Sequence, residues 1–130
     1  MVEPQESSGG GTTNAAKAYY EEATALIESR VSQFLAANST EERKALAAIE
    51  LLVKLCSNII KSPTESKFRT IRATIPKIAS TIFALPGGPA DLVMALGFMR
   101  LDDEHYVFVG DYLKVLKKGV AIVEKAVEPI

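Results

Sequence analysis

Apolar residues recur at three- and four-residue spacing through most of this chain, the period of a helix with one face buried. Tyr19, Ala23, Leu26, Ile27, Val31 and Phe34 mark a first helix, with Asn14 placed to cap its start. Asn38-Ser39-Thr40 breaks that pattern. Ser39 followed by Glu42 predicts a capping box, in which each side chain satisfies an orphan backbone N–H. The second helix carries Leu46, Ile49, Leu52, Val53, Cys56 and Ile59 on one face and runs to about Lys61. Ser62, Pro63 and Glu65 then spell another helix start, and Phe68 and Ile71 are the apolar teeth of a predicted third helix. Pro76 interrupts the ladder, because it lacks an N–H and biases Ile75 toward extended backbone. A fourth helical stretch follows over Lys77 to Ala84, then a loop over Leu85-Pro86-Gly87-Gly88-Pro89. Pro89 can open a short helix through Leu96, which Gly97 ends.

Beyond Phe98 the period changes. Asp102-Asp103-Glu104 is turn-like and Tyr106 to Val109 is rich in strand-forming residues, so a short β-hairpin is expected between roughly Phe98 and Val109. Gly110-Asp111 closes it, with Asp111 as the cap of a last helix whose stripe is Leu113, Leu116, Val120, Val123 and Val127. Residues Met1 to Thr13 are rich in Ser and Gly and bury little apolar surface, as in a flexible tail or linker. The fold class predicted is α+β and mostly α: one compact helical domain over 14–130, with the hairpin before the C-terminal helix.

Length and composition fit that reading. A chain of 130 residues with 48% hydrophobic and 24% charged residues can bury a core without staples. A net charge of −1 argues against a general affinity for nucleic acid or anionic membrane. A lone cysteine forms no internal disulfide and points to a reducing compartment. No apolar run reaches membrane-spanning length, and no signal-peptide pattern is present.

No catalytic constellation emerges, so no enzyme, metal site or cofactor is expected. Cys56 falls on the apolar side of a helix, between Leu52 and Ile59, where a thiolate is disfavoured. His105, the single imidazole, sits at a turn. One Cys and one His cannot build a usual zinc site. The triplet Asp102-Asp103-Glu104 lacks the alternate spacing of a calcium loop and reads as a solvated turn. Pro86-Gly87-Gly88-Pro89 is not followed by the Lys-Ser/Thr of a phosphate loop. The charge pattern is more informative. Lys54, Lys61, Lys67, Arg69, Arg72 and Lys77 are opposed in their own stretch by Glu65 alone. Such a run suits either a solvated face or, with Phe68 and Ile71 among the cations, a groove for a short acidic peptide with an apolar anchor.

The order Asn58-Ile59-Ile60-x-x-Pro63, Lys67-Phe68-Arg69-x-Ile71-Arg72 and Leu96-Gly97-Phe98 resembles the PUB (PUG) domain family of peptide:N-glycanase and UBX-type adaptors, from about Ala45 to Val127. The resemblance implies a compact helical fold with a small β-sheet. It also implies a peptide groove built from the positions of Asn58, Lys67, Phe68, Arg72, Ile75, Gly97 and Phe98. At two of these the chain departs from the family pattern: Phe68 stands where Tyr is common, and Ile75 where a groove Asn is common. The implied ligand is the acidic, Leu-Tyr-Gly-like C-terminal tail of the valosin-containing AAA ATPase, in ubiquitin–proteasome and ER-associated degradation pathways. The chemistry suits these residue types. An Asn amide bonds peptide backbone, Arg pairs with carboxylate, and Gly admits a chain beside a Phe wall. The expected protein is a cytoplasmic, and also nuclear, monomeric module without a nucleic-acid or membrane partner. The alternative is a helical scaffold that binds another short motif, such as a deubiquitinase-like partner, or self-associates through a degenerate groove.

Overall fold

The computed structural model describes residues 14–109 and 113–130. The tail or linker expected over Met1–Thr13, and the Asp111 cap, lie outside the described residues. Helix α1 spans Asn14–Ala37 and α2 spans Glu42–Lys61. A 3-10 turn over Ser66–Arg69 leads into strand β1, Thr70–Arg72. Helix α3, Pro76–Ile78, widens into a π turn over Ala79–Phe83. Helix α4 covers Pro89–Ala95, β2 Phe98–Arg100, β3 His105–Phe108 and α5 Leu113–Ala126. The architecture is the α+β, mostly helical one that the sequence predicts, with the hairpin packed ahead of the last helix.

The long helices bury most of the stripes their periodicity marks, with the correction that Tyr19 and Leu26 of the first stripe are exposed. Ile27, Val31 and Phe34 of α1, Ile49, Leu52, Cys56 and Ile59 of α2, and Leu116, Val120 and Val123 of α5 share one core. α5 packs against both α1 and α2. Gly119 makes the first of these contacts possible, since a Cβ there would stand 2.7 Å from Leu96 Cδ2 and 3.0 Å from Ile27 Cδ1. Asn38 is the one buried polar side chain among the described residues. Its amide donates to the Phe34 carbonyl at 2.8 Å and to the Pro86 carbonyl at 2.9 Å, fastening the end of α1 to the loop before α4. Gly87 belongs to the same junction. Its φ of +94° and the 2.8 Å that would separate a Cβ from Ala37 Cβ leave no room for a side chain.

Two local expectations are corrected. The Ser39–Glu42 capping box does not form: Glu41 is the residue before α2 and gives no side-chain cap. The third helix does not form either. Ser62 instead closes α2, its N–H donating to the Asn58 carbonyl, and Glu65 N–H folds back on the Ser62 carbonyl in a turn. The chain from Thr70 then extends and pairs antiparallel with β3, in the register Thr70↔Val107, Ile71↔Tyr106 and Arg72↔His105. Burial alternates exposed, buried, exposed along β1, the period of a strand with one face on a core. Two prolines bracket this segment at positions 63 and 76, and β3 offers it a ladder that satisfies the backbone while Ile71 turns to the core. The expected hairpin thus becomes a three-stranded sheet of order β1-β3-β2.

Candidate peptide-binding surface

Asn58 lies in the last turn of α2 and is half-buried. Among the described residues its side-chain amide makes no hydrogen bond. α2 packs on the 3-10 turn that carries Lys67 and Phe68. Phe68 is half-buried against the core, and the exposed Lys67 holds Nζ 5.3 Å from the centre of its ring. β1 then sends Ile71 inward and Arg72 outward. Ile75 N–H donates to the Arg72 carbonyl at 3.2 Å, which folds Ile75, 41% exposed, back beside Arg72. Because β1 is an outer strand, Lys67, Phe68, Thr70, Arg72 and Ile75 follow one another along a rim of the domain. At about 3.3 Å per extended residue, the strand at the middle of that rim is on the order of 10 Å long.

Gly97 and Phe98 are not on that rim. They open β2, which lies across β3 from β1. Phe98 pairs with Phe108, and Arg72 pairs with His105. Residues 105 and 108 of one strand point to opposite faces, so Phe98 and Arg72 do as well. The Phe wall expected of Phe98 is therefore corrected: its ring is 4% exposed and packs edge-on to Phe108, with centres 5.5 Å apart. Gly97 also has an internal task. Its φ is +118°, and a Cβ would meet the Phe108 ring at 2.7 Å. The structure thus sets Lys67 and Phe68 in the turn before β1, Arg72 in β1 and Ile75 just after it, packs α2, whose last turn carries Asn58, on that turn, and puts Gly97 and Phe98 across β3 from β1.

Charges on the rim are held unequally. Arg72 Nη2 stands 2.8 Å from Glu104 Oε2, with both side chains well exposed. Arg72, and then a hydrogen bond from Thr74, hold the Glu104 carboxyl below the usual glutamate range. Asp102 organises the hairpin turn that presents Glu104. Its Oδ1 accepts the N–H groups of Glu104 and His105, each at 2.8 Å, and lies 2.9 Å from His105 Nδ1. Those bonds, the Glu104 N–H first, lower the Asp102 carboxyl too. Lys67 forms no ion pair among the described residues.

Sequence reasoning missed Glu104 as the partner of Arg72, since it lies 32 residues away in a triplet read as solvated turn. It also counted Arg69 with the surface cations. Arg69 is half-buried, donates to the carbonyls of Pro63 at 2.9 Å and Phe108 at 3.4 Å, and stacks over the Phe108 ring. Its third omission is the outer face of the sheet, where Met99, opposite Val107, is exposed, as are the neighbouring Leu101 and Val109.

Cys56 is fully buried, and burial pushes its thiol up to about 12, so it stays protonated and inert. Among the described residues no cluster of His, Cys, Asp and Glu could hold a metal ion, and no helix is long and apolar enough to cross a membrane. An exposed strand flanked by cations and half-buried apolar side chains can hold an extended chain, as a binding module does. The family comparison agrees with that class. The model of the PUB domain matches residues 42–125, and the chain belongs to the PUB domain family, whose members are protein–protein interaction modules that bind peptide partners. No curated protein matches it.

Proposed function

We propose that the Lys67–Ile75 rim binds the acidic C-terminal tail of the valosin-containing AAA ATPase, which would place this domain among adaptors of ubiquitin-dependent and ER-associated degradation in the cytoplasm and nucleus. The observation that carries the reading is the sequence of Lys67 and Phe68 in the 3-10 turn, Arg72 in the outer strand β1 it feeds, and Ile75 just beyond that strand. An extended acidic tail laid beside β1 meets a cation at each end. Phe68 and Ile75 offer apolar surface for a Leu or Tyr side chain, and the Asn58 amide, unbonded among the described residues, has both donor and acceptor to offer. Phe68 and Ile75 supply only apolar contact where the family pattern places a hydroxyl and an amide, so the anchor here depends more on shape and charge.

Amide shifts of the domain on titration with the tail peptide test this. Shifts concentrated at 58 and 67–75 are expected. Shifts confined to α1 and α5, or none at millimolar peptide, would overturn it. Phosphorylating the peptide Tyr adds roughly two negative charges. If that ring enters the apolar surface beside Phe68, the phosphopeptide should bind more weakly. Tighter binding would reduce the rim to an electrostatic face.

The exposed row of Met99, Leu101 and Val109 favours a second reading, in which the outer sheet face meets another apolar motif or a second copy of the chain. Sedimentation of the wild type and of Leu101→Asp separates these. A dimer lost in the variant would support self-association.

A further inference from the structure

Glu104 is built into the hairpin so that its carboxylate rests on Arg72. Asp102 Oδ1 accepts the Glu104 N–H at 2.8 Å, and the Glu104 carbonyl accepts Ala73 N–H at 2.7 Å, one residue beyond Arg72. Its backbone is therefore anchored to its own turn on one side and to the end of β1 on the other. A side chain so placed loses little further freedom on reaching Arg72. The pair uses a single bond from Nη2 to Oε2 at 2.8 Å, leaving other guanidinium donors unused. A second carboxylate could reach those donors only by approaching a like charge. Arg100 and Asp103 form a matching pair at 2.8 Å nearby, yet Arg100 is opposite Tyr106 on β2, away from the rim.

We infer that Glu104 is a specificity-determining residue of the rim: an internal carboxylate that occupies Arg72 in the free domain and that an acidic ligand must displace or share. This rests on the reading of the rim as an acidic-peptide site. Lys67, with no ion pair among the described residues, is then the cation of first encounter, and Arg72 is engaged only by ligands able to compete. A ligand with one acidic group at the Lys67 end is bound without that competition. A ligand acidic at both ends meets it. Glu104 thereby discriminates among acidic peptides by where their charges lie, with no contact of its own to the ligand's apolar anchor.

Calorimetric titration of the plain acidic tail peptide into the wild type and five variants at low salt tests the inference. Glu104→Gln keeps the shape and removes the charge, and should tighten binding about threefold to fivefold, the scale of an exposed ion pair released. Asp103→Asn removes the same charge one residue away and should change affinity by less than half that. In an Arg72→Ala background, Glu104→Gln should have no effect. Glu104→Asp keeps the charge but withdraws the oxygens from Arg72. It should fall between wild type and Glu104→Gln, and it keeps the test open if the Gln variant loosens the hairpin. Equal affinity of Glu104→Gln and wild type would overturn the inference alone. So would equal tightening by Asp103→Asn, or tightening that survives loss of Arg72. If neither wild type nor Glu104→Gln binds the peptide, the peptide-site reading falls, and the inference with it.

Discussion

Arg69, at the end of the 3-10 turn, and Arg72, at the end of the strand it feeds, stand three residues apart and have opposite lives. Arg69 is half-buried, gives hydrogen bonds to two backbone carbonyls and covers the Phe108 ring. Arg72 is exposed and touches one carboxylate. The acceptors of Arg69 are fixed by the fold and carry no charge, so nothing in solution replaces them cheaply. The acceptor of Arg72 is a side chain in water, which any other carboxylate can imitate. One sequence motif thus supplies both a fastening for the sheet and an exchangeable contact, and burial alone assigns the roles.

Mutation of the buried end should cost the most. Phe98→Ala empties a site packed against Phe108 and should lower unfolding free energy by about 3–5 kcal/mol, read from urea denaturation. A stable variant with weakened peptide binding would instead return Phe98 to the surface. Arg69→Ala strips hydrogen bonds from two carbonyls and uncovers Phe108, and should cost about 1–3 kcal/mol in the same experiment. Arg72→Ala should change stability by less than about 1 kcal/mol. On the proposed reading it should weaken tail-peptide binding by about tenfold, as measured by calorimetry. If the two arginine variants destabilise equally, the contrast fails.

Acid provides the gentlest probe. Hydrogen bonds from Arg72 and Thr74 lower the folded Glu104 carboxyl from its ordinary value of 4.5. Its contribution is therefore complete above that value and is lost as pH falls through the depressed one. The acceptors of Arg69 do not titrate. Side-chain N–H signals of Arg72 should change only below pH 4.5, while those of Arg69 hold until the fold itself gives way. Changes in Arg72 near neutral pH would mean that Glu104 is not its partner.

What the sequence disclosed follows the same division between local and distant causes. α2 and α5 were legible because Leu52, Cys56, Ile59, Leu116, Val120 and Val123 repeat at the spacing that one buried face requires. Gly97 was legible as a helix stop because a positive φ needs that residue. β1 was not, because Ser62, Pro63 and Glu65 make a persuasive local helix start, and only pairing with Tyr106, 35 positions on, makes Thr70–Arg72 a strand. The π turn at Ala79–Phe83 leaves no periodic mark in so short a segment. The family pattern drew attention to Lys67, Phe68, Arg72 and Ile75 together, which the 3-10 turn, β1 and the turn after it bring in succession. It could not reveal that Phe98 faces inward or that Glu104 meets Arg72, since neither fact is written near those residues.

The junction of Asn38 with Phe34 and Pro86 bears on where this domain can be cut. The family match begins at Glu42, after α1 has ended, yet Ile27, Val31 and Phe34 are among the most deeply buried side chains of the molecule. The stretch that the family model covers and the stretch that shares one core are therefore different lengths. A fragment begun at Glu42 would open the side of α4 and α5 to water and leave the Pro86 carbonyl without its amide, so a transplantable version of this domain must carry its first helix along.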